Sequence, residues 1–191
     1  MPQPHRRLFL RSAVVATVLA LAACRPAPAD RGGPAASTGT RAPPRGPTTS
    51  AAVETNAVID HVIDGDTVDV RIDGRTERVR LIGVNTPETK DPRRPVECYG
   101  PEASALTTLL LPAGTGVRLE RDVEARDDYG RLLAYVRRSD GLFVNLELAR
   151  QGAAVVLSIR PNTAYAPVIA AAADEARRAR RGLWGACPSS R

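Results

Sequence analysis

Apolar and polar side chains alternate along two successive stretches of the sequence that are joined by a turn signal. In residues 68–73, which read VDVRID, every second side chain is apolar, and this period of two predicts a half-buried β-strand. Asp73-Gly74 is a typical hairpin turn. In the return strand Val79 and Leu81 share one face, and Arg80 lies on the other. The pattern predicts a β-hairpin whose arginine projects out of the core.

Polar residues flank this hairpin at both ends. Asp64 and Asp66 precede its first strand, and Asn85, Thr86 and Glu88 follow its second. Because a hairpin brings its two ends together, we expect these side chains to lie beside one another and beside the arginine of the return strand. Carboxylates, amide oxygens and a guanidinium group are the parts of a metal-assisted phosphate site. The sequence therefore predicts such a site at the ends of the hairpin.

The rest of the chain predicts a small mixed fold. We expect further strands at 58–63, 117–122 and 131–136, a short strand candidate at 153–159, and helices at 100–110, 145–150 and 165–181. Asn145 is a candidate N-cap of the second helix, and Gly152 suits a positive φ after it. Five short strands in hairpin order with three helices predict an α+β fold, mainly β with α. The architecture expected is a five-stranded antiparallel Greek-key barrel of the OB-fold type.

The N-terminal segment has the composition of an export signal. Residues 1–23 begin with basic side chains and continue into an apolar run too short for a typical membrane-spanning helix. Arg6-Arg7 resembles a twin-arginine signal, and residues 21–24, which read LAAC, resemble a bacterial lipobox in which Cys24 carries lipid. We expect an exported protein, either anchored as a lipoprotein on the extracytoplasmic side of a membrane or secreted. The alternative is an ordinary secretory signal with an incidental cysteine.

The segment after the leader differs in composition and charge from the rest of the chain. Residues 24–53 are rich in Pro, Ala and Gly, which predicts a disordered tether before a domain at 54–188 and a short tail at 189–191. The chain has a net charge of +6, but residues 54–191 contain 20 Lys+Arg and 20 Asp+Glu. Bulk charge therefore says nothing about what the domain binds, and local clusters of charge are more often solvated faces.

Of the three cysteines, Cys24 follows the leader, and the other two lie in the predicted domain. If Cys24 is the lipid anchor, Cys98 and Cys187 remain as an even pair outside the reducing cytosol, where a disulfide is expected. Two free buried thiols are the alternative. Cysteine ligation of a metal is not expected, because no second cysteine lies at ligand spacing.

Five segments, in order along the chain, resemble the thermonuclease family. They are IDGDTV at 63–68, TPETK at 86–90, YGPEAS at 99–104, YGRLLAY at 129–135 and VNLELARQG at 144–152. The resemblance extends from Ala57 to Trp184, about two thirds of the chain. It implies a Ca²⁺-dependent phosphodiesterase that hydrolyses DNA and RNA with little sequence preference and leaves 3′-phosphate ends. We expect such a protein to be a monomer.

The resemblance also assigns roles to individual residues. The catalytic positions of the family fall on Arg80, Glu88 and Arg131. Its calcium ligands fall on Asp66, Asn85 and Thr86, the last through its backbone carbonyl, with Asp64 just outside them. Candidate substrate contacts are Tyr129 and Lys90. Two arginines and a cation suit the charge that develops on a phosphodiester in the transition state, and the glutamate would accept or orient a proton of the attacking water.

Each of these residues alone has a structural explanation. The turn at 64–66 is ordinary, and Arg131 alone would be an ion-pair partner of Asp127 or Asp128. The functional interpretation depends on the whole pattern. A non-catalytic OB-fold lipoprotein that binds nucleic acid at the cell surface is the alternative function, and it predicts loss of the catalytic positions, all of which are present.

Two departures from the family pattern concern the substrate. Leu157, Ser158 and Ile159 occupy the segment in which a well-known member has tyrosines against the nucleotide, and Asp128 replaces a lysine that helps to hold a terminal phosphate. We expect poor affinity for short nucleotides, with longer polymers bound through their backbone. A nucleoside bisphosphate that inhibited at low micromolar concentration would contradict this.

A third departure yields a prediction about the metal. Asn85 stands where the same member has an aspartate, which removes one negative charge from the ligand set. Replacing Asn85 by Asp should lower the calcium concentration that gives half-maximal activity, because a carboxylate attracts the cation more strongly than an amide. A calcium titration of both proteins measures this, and an unchanged half-saturation point would refute it.

Overall fold

A computed structural model describes residues 52–188 of the chain. The predicted leader at 1–23, Cys24, the tail at 189–191 and all but the last two residues of the tether lie outside the described residues. Between residues 52 and 188, no helix is both long enough and apolar enough to cross a membrane.

The described chain forms seven strands and four helices. The strands are β1 (Ala57–Asp64), β2 (Thr67–Ile72), β3 (Arg75–Leu81), β4 (Gly83–Asn85), β5 (Gly116–Glu120), β6 (Leu132–Arg138) and β7 (Val155–Leu157). The helices are α1 (Gly100–Leu110), α2 (Val144–Arg150), α3 (Ala166–Arg178) and α4 (Leu183–Ala186). The third helix ends three residues before the predicted boundary, and the seventh strand is shorter than the predicted segment at 153–159.

Five of the strands close into a barrel in the order β1-β2-β3-β6-β5, with β5 paired to β1. The alternating apolar side chains point into it, and these are fully or almost fully buried: Ile59, Val68, Val70, Val79, Leu81, Val117 and Val136. Burial of such side chains is the main favourable contribution to folding. The predicted five-stranded barrel of mixed α and β structure is confirmed.

The prediction that the barrel is antiparallel throughout is wrong for one pair of strands. β3 and β6 run parallel, with Val79 opposite Leu132 and Arg80 opposite Leu133, whereas the other four pairs are antiparallel. A closed ring with an odd number of strands cannot alternate direction all the way round, so one pair has to be parallel. In this barrel the parallel pair carries Arg80 on one strand and begins just after Arg131 on the other.

The buried side-chain amide of Asn145 attaches the second helix to the barrel. The predicted N-cap role of Asn145 is wrong, because α2 begins at Val144 with Phe143 in the N-cap position. The Asn145 side chain instead donates to the carbonyl of Ile82 at 2.8 Å and accepts the N–H of Val136 at 2.8 Å. These bonds satisfy backbone groups that the end of the barrel leaves open, and they attach α2 to the segment that leads into the site.

A short ribbon extends the barrel beside this segment. β4 pairs antiparallel with β7, with Val84 opposite Val156 and Asn85 opposite Val155. β4 is also in contact with α2 and α3. These contacts hold β4 in place, and they therefore also fix the start of the segment that follows it, which carries Thr86 and Glu88.

The C-terminal segment is held against α2 and to the loop before α1. Leu183 donates its N–H to the carbonyl of Gly152 at 2.9 Å, and Cys187 forms a disulfide with Cys98. Gly152 has a φ of 71°, as expected for a residue that ends α2. A Cβ there would lie 2.3 Å from the carbonyl oxygen of Arg181, so only glycine permits this approach.

We predict that Gly152→Ala costs more than about 3 kcal/mol of folding free energy, because it adds a backbone clash to the cost of a positive φ. Gly141→Ala is the matched control, since Gly141 also has a positive φ, 89°, and a Cβ there meets nothing within 4 Å. The control should lose about 1–2 kcal/mol. Urea unfolding of both variants gives the two values, and equal losses would show that Arg181 moves away at little cost.

Candidate active site

Asp66 lies in the turn between β1 and β2 and is almost completely buried. Its Oδ2 accepts the N–H of Thr86 at 2.8 Å, and its Oδ1 accepts the hydroxyl of Thr67 at 3.1 Å. The preceding glycine makes this approach possible, because a Cβ on Gly65 would lie 2.6 Å from the hydroxyl of Thr86. The turn and the segment after β4 are therefore in direct contact, as the hairpin pattern predicts.

Arg80 lies in β3 and is buried within this cluster, with 9% of its surface exposed. Its Nη2 lies 3.0 Å from Oδ2 of Asp66 and 3.0 Å from Oδ1 of Asn85. Its Nη1 donates to the carbonyls of Leu81 at 2.6 Å and Val84 at 2.8 Å. The side chain lines a cavity, and it is buried there, which the expectation of an arginine projecting out of the core did not include.

Burial shifts the pKa values of Arg80 and Asp64 in opposite directions. It lowers the pKa of Arg80, an effect that the charge of Asp66 opposes; the guanidinium still carries its proton at any neutral pH. Burial also raises the pKa of Asp64, and the neighbouring charge of Asp66 raises it further. Asp64 accepts the N–H of Asp66 at 3.2 Å, so two carboxylates are held together at the turn.

Glu88 begins the polar loop that leads to α1. Its Oε1 accepts the N–H groups of Thr89 at 2.7 Å, Lys90 at 2.6 Å and Asp91 at 3.2 Å. These bonds, the one from Lys90 first, lower the pKa of Glu88, because hydrogen bonds to the ionised form favour that form. Glu88 is therefore a carboxylate at neutral pH and is held by its own loop.

Arg131 reaches the same place from just before β6. Its Nε donates to Oδ2 of Asp127 at 2.7 Å, and its backbone N–H donates to Oδ1 at 2.9 Å. Its guanidinium carbon lies 5.4 Å from the centre of the Tyr129 ring, and that ring is 86% exposed. Asp127 thus fixes the direction of the arginine, one of the two ion-pair partners that the sequence offered.

One cavity of about 560 Å³ brings the predicted residues together. We call it the site cavity. It is lined by Asp64, Asp66, Arg80, Asn85, Thr86, Glu88, Tyr129 and Arg131. Lys90 lines a neighbouring open groove of about 740 Å³, which shares Glu88 and Arg131 with the site cavity. Leu157, Ile159 and Asp128, the positions of the substrate departures, also line the site cavity.

Glu97 is one of the residues at the site that the sequence did not single out. It lines the site cavity, and its Oε2 accepts the N–H of Glu88 at 3.0 Å. It lies in a polar loop without period, where no local pattern distinguishes one acid from another. Only the contact in three dimensions identifies it.

The donors around Asp66 fit a hard divalent cation. Between residues 52 and 188, no group of three or more His, Cys, Asp or Glu side chains lies close enough together to hold a metal, so carboxylates alone would not suffice. The carboxylate of Asp66 and the amide oxygen of Asn85, which meet at Nη2 of Arg80, are hard oxygen donors, which suit Ca²⁺ or Mg²⁺ and not a soft metal. Burial, and then the charge of Asp66, raise the pKa of Asp64, and a cation at this turn would favour the ionised carboxylates.

Known proteins match more than half of this chain. A family model described as "Staphylococcal nuclease homologue" matches residues 78–186. The chain is 46% identical to the thermonuclease of Staphylococcus intermedius over 127 residues, 66% of this chain and 74% of that protein. It is 42% identical to the thermonuclease of Staphylococcus hyicus over 135 residues, 71% and 79% of the two chains. It is 40% identical to the endonuclease YncB of Bacillus subtilis (strain 168) over 131 residues, 68% and 61% of the two.

The charge at the turn predicts opposite effects of two Asp→Asn substitutions on thermal stability in a chelating buffer. The pKa of Asp64 is raised, so its ionised form is less favourable in the folded protein than in the unfolded chain. Asp64→Asn should therefore raise Tm at pH 7, and the gain should vanish below the ordinary pKa of 3.8, where both states bind the proton.

Asp69 is the matched control on the next strand. Its pKa is lowered by the hydrogen bond from Arg78, so Asp69→Asn should lower stability at pH 7 by about 1 kcal/mol. Thermal unfolding followed by circular dichroism measures both variants. A lower Tm for Asp64→Asn would show that its carboxylate is favourable in the cation-free protein.

Proposed function

Because this chain belongs to the staphylococcal nuclease homologue family and is a thermonuclease-like endonuclease, we propose that it is a calcium-dependent phosphodiesterase. It hydrolyses DNA and RNA with little sequence preference and leaves 3′-phosphate ends. One observation carries the assignment of the site: Arg80, Glu88 and Arg131, from three separate segments, line one cavity together with the oxygens around Asp66.

The two arginines would bind the scissile phosphate. Arg80 is preorganised, because its Nη1 donates to two backbone carbonyls and its Nη2 lies against two side-chain oxygens. This leaves its Nε–H as the donor for the phosphate. Arg131 is fixed by Asp127 at its Nε, which leaves the Nη groups as donors toward the cavity. A planar guanidinium matches paired phosphate oxygens, and donors fixed in advance stabilise the charge of the transition state without reorganisation.

Glu88 would orient the attacking water. The three backbone bonds fall on Oε1, so a water proton would go to Oε2. The lowered pKa makes this carboxylate a weak base, and its contribution is mainly positional. The water oxygen forms the new bond to phosphorus while the bond to the 5′ oxygen breaks. That oxygen then takes up a proton, and the phosphate stays on the 3′ side.

The oxygens of Asp66, Asn85 and Thr86 would hold the calcium ion, with Asp64 beside them. When bound, the ion supplies positive charge next to the phosphate and lowers the barrier to attack by water. Oδ2 of Asp66 contacts the guanidinium of Arg80, and the same carboxylate would bind the calcium ion. The cation and the first arginine would therefore act on the same phosphate.

The location of the enzyme is a further part of the proposal, supported by the sequence alone. A basic start, a short apolar run and the lipobox-like residues before Cys24 favour an exported protein held to the extracytoplasmic face by lipid on that cysteine. The tether would then separate the barrel from the membrane surface. Its substrates would be the nucleic acids outside the cell, and we propose that it acts as a monomer.

We predict that Glu88→Gln lowers kcat on plasmid DNA and on RNA by about 10²–10⁴-fold, and that a chelator abolishes the activity until calcium is restored. Glu102→Gln, an exposed acid in the first turn of α1, is the matched control and should digest as the native chain does. End analysis of the products should find 3′-phosphates. Digestion that ignores both the chelator and Glu88 would overturn the proposed mechanism.

A further inference from the structure

Glu88 and Glu97 hold each other at the two ends of one loop. The N–H of Glu88 donates to Oε2 of Glu97 at 3.0 Å, and the N–H of Glu97 donates to the carbonyl of Glu88 at 2.9 Å. The other carboxylate oxygen of Glu97, Oε1, pairs with Arg94. The position of the Glu88 backbone therefore depends on a side chain nine residues further along the chain.

The base of this loop is fastened to the far end of the chain. The carbonyl of Glu97 accepts the N–H of Gly100 at 3.0 Å, and the next residue, Cys98, is bonded to Cys187. Cys187 directly follows α4, a segment that docks on Gly152 through the N–H of Leu183. The loop that carries Glu88 is thus connected through one covalent bond to a part of the fold that touches α2.

The loop between the two glutamates has little else to hold it. Its residues 90 and 92–96 are exposed, and its side-chain bonds are mostly within the loop, as between Arg93 and Asp91. A loop with few buried contacts opens at low free-energy cost. The glutamate pair and the disulfide are the contacts that limit this opening at the base.

We propose that Glu97 is a positioning residue for Glu88, and that the Cys98–Cys187 disulfide keeps Glu97 in place, so that full turnover requires the bridge. This role rests on the proposed function of Glu88. The arginines that would bind phosphate lie on β3 and before β6, outside the loop. Lys90, a candidate substrate contact, does lie in the loop, so loosening the loop should reduce kcat by a larger factor than it raises KM.

The test compares Glu97→Ala, Glu97→Gln and the double variant Cys98→Ser/Cys187→Ser in the full chain, with calcium, well below the Tm of each. Since misplacing a catalytic group by about 1 Å can cost about 10²-fold, we expect Glu97→Ala to lower kcat by about 10- to 100-fold. Glu97→Gln keeps an oxygen that can accept the N–H of Glu88 and should recover most of the rate. The double cysteine variant should lose about 10-fold in kcat.

A combination of changes distinguishes positioning from general stability. If Glu97 and the bridge act through one chain of contacts, adding Glu97→Ala to the cysteine variant should cost less than the two separate losses multiplied. A bridge that is merely structural would lower Tm and leave kcat unchanged below it, and that result would overturn the inference. Equal kcat for Glu97→Ala and the native chain would also overturn it.

Glu88→Gln and Arg94→Ala accompany these variants. Full activity of Glu88→Gln would overturn the proposed function itself. An inactive Glu88→Gln together with a fully active Glu97→Ala would overturn only the positioning role of Glu97. Arg94→Ala removes the ion pair on the other oxygen of Glu97 but leaves the bond to Glu88. Because Arg94 itself lines the site cavity, its loss should raise KM, and kcat should stay within about 3-fold. A loss as large as that of Glu97→Ala would show that charge, and not the hydrogen bond to Glu88, explains the effect.

Discussion

The carboxylate of Asp66 holds the site together because it bonds three segments of the chain at once. One oxygen accepts the N–H of Thr86 and meets the guanidinium of Arg80, and the other accepts the hydroxyl of Thr67. The turn before β2, the strand β3 and the loop after β4 meet at this group. Without it, Arg80 would be a buried cation that had lost its counter-charge, which is among the costliest defects a fold can carry.

The same carboxylate couples stability to function. Its oxygens, and the amide oxygen of Asn85, serve Arg80 in the folded chain and are also the ligands that a hard cation would use. Asp64 lies two residues before Asp66 in the chain, and burial and the charge of Asp66 push it toward its protonated form. A phosphate site has to concentrate opposite charges in a small volume, and here Asp66, Arg80 and Arg131 each have a partner of opposite charge that keeps the concentration tolerable.

Local pattern was enough to predict the hairpin, the residues at its ends and the five-stranded barrel, because period-two alternation and Asp-Gly turns are short-range signals. The site residues followed from the resemblance, since five motifs in order fix positions that no single motif does.

What could not be predicted from local sequence depends on contacts between distant segments. Asn145 has the chemistry of a helix cap, but its partners at Ile82 and Val136 are supplied by other elements. Glu97 is one acid among several in a loop. The parallel pair was accessible in principle, because five strands in a ring force it.

That parallel pair also determines when, during synthesis of the chain, the two arginines of the site come together. Of the two arginines proposed to bind phosphate, Arg80 is on β3 and Arg131 precedes β6, the strand that completes the ring beside β3. A chain still emerging from the ribosome with β6 unmade has an open sheet and a single arginine, and it cannot grip a phosphate from two sides. The order of the strands thus postpones the meeting of the two arginines until residue 138 of the 191 has been made.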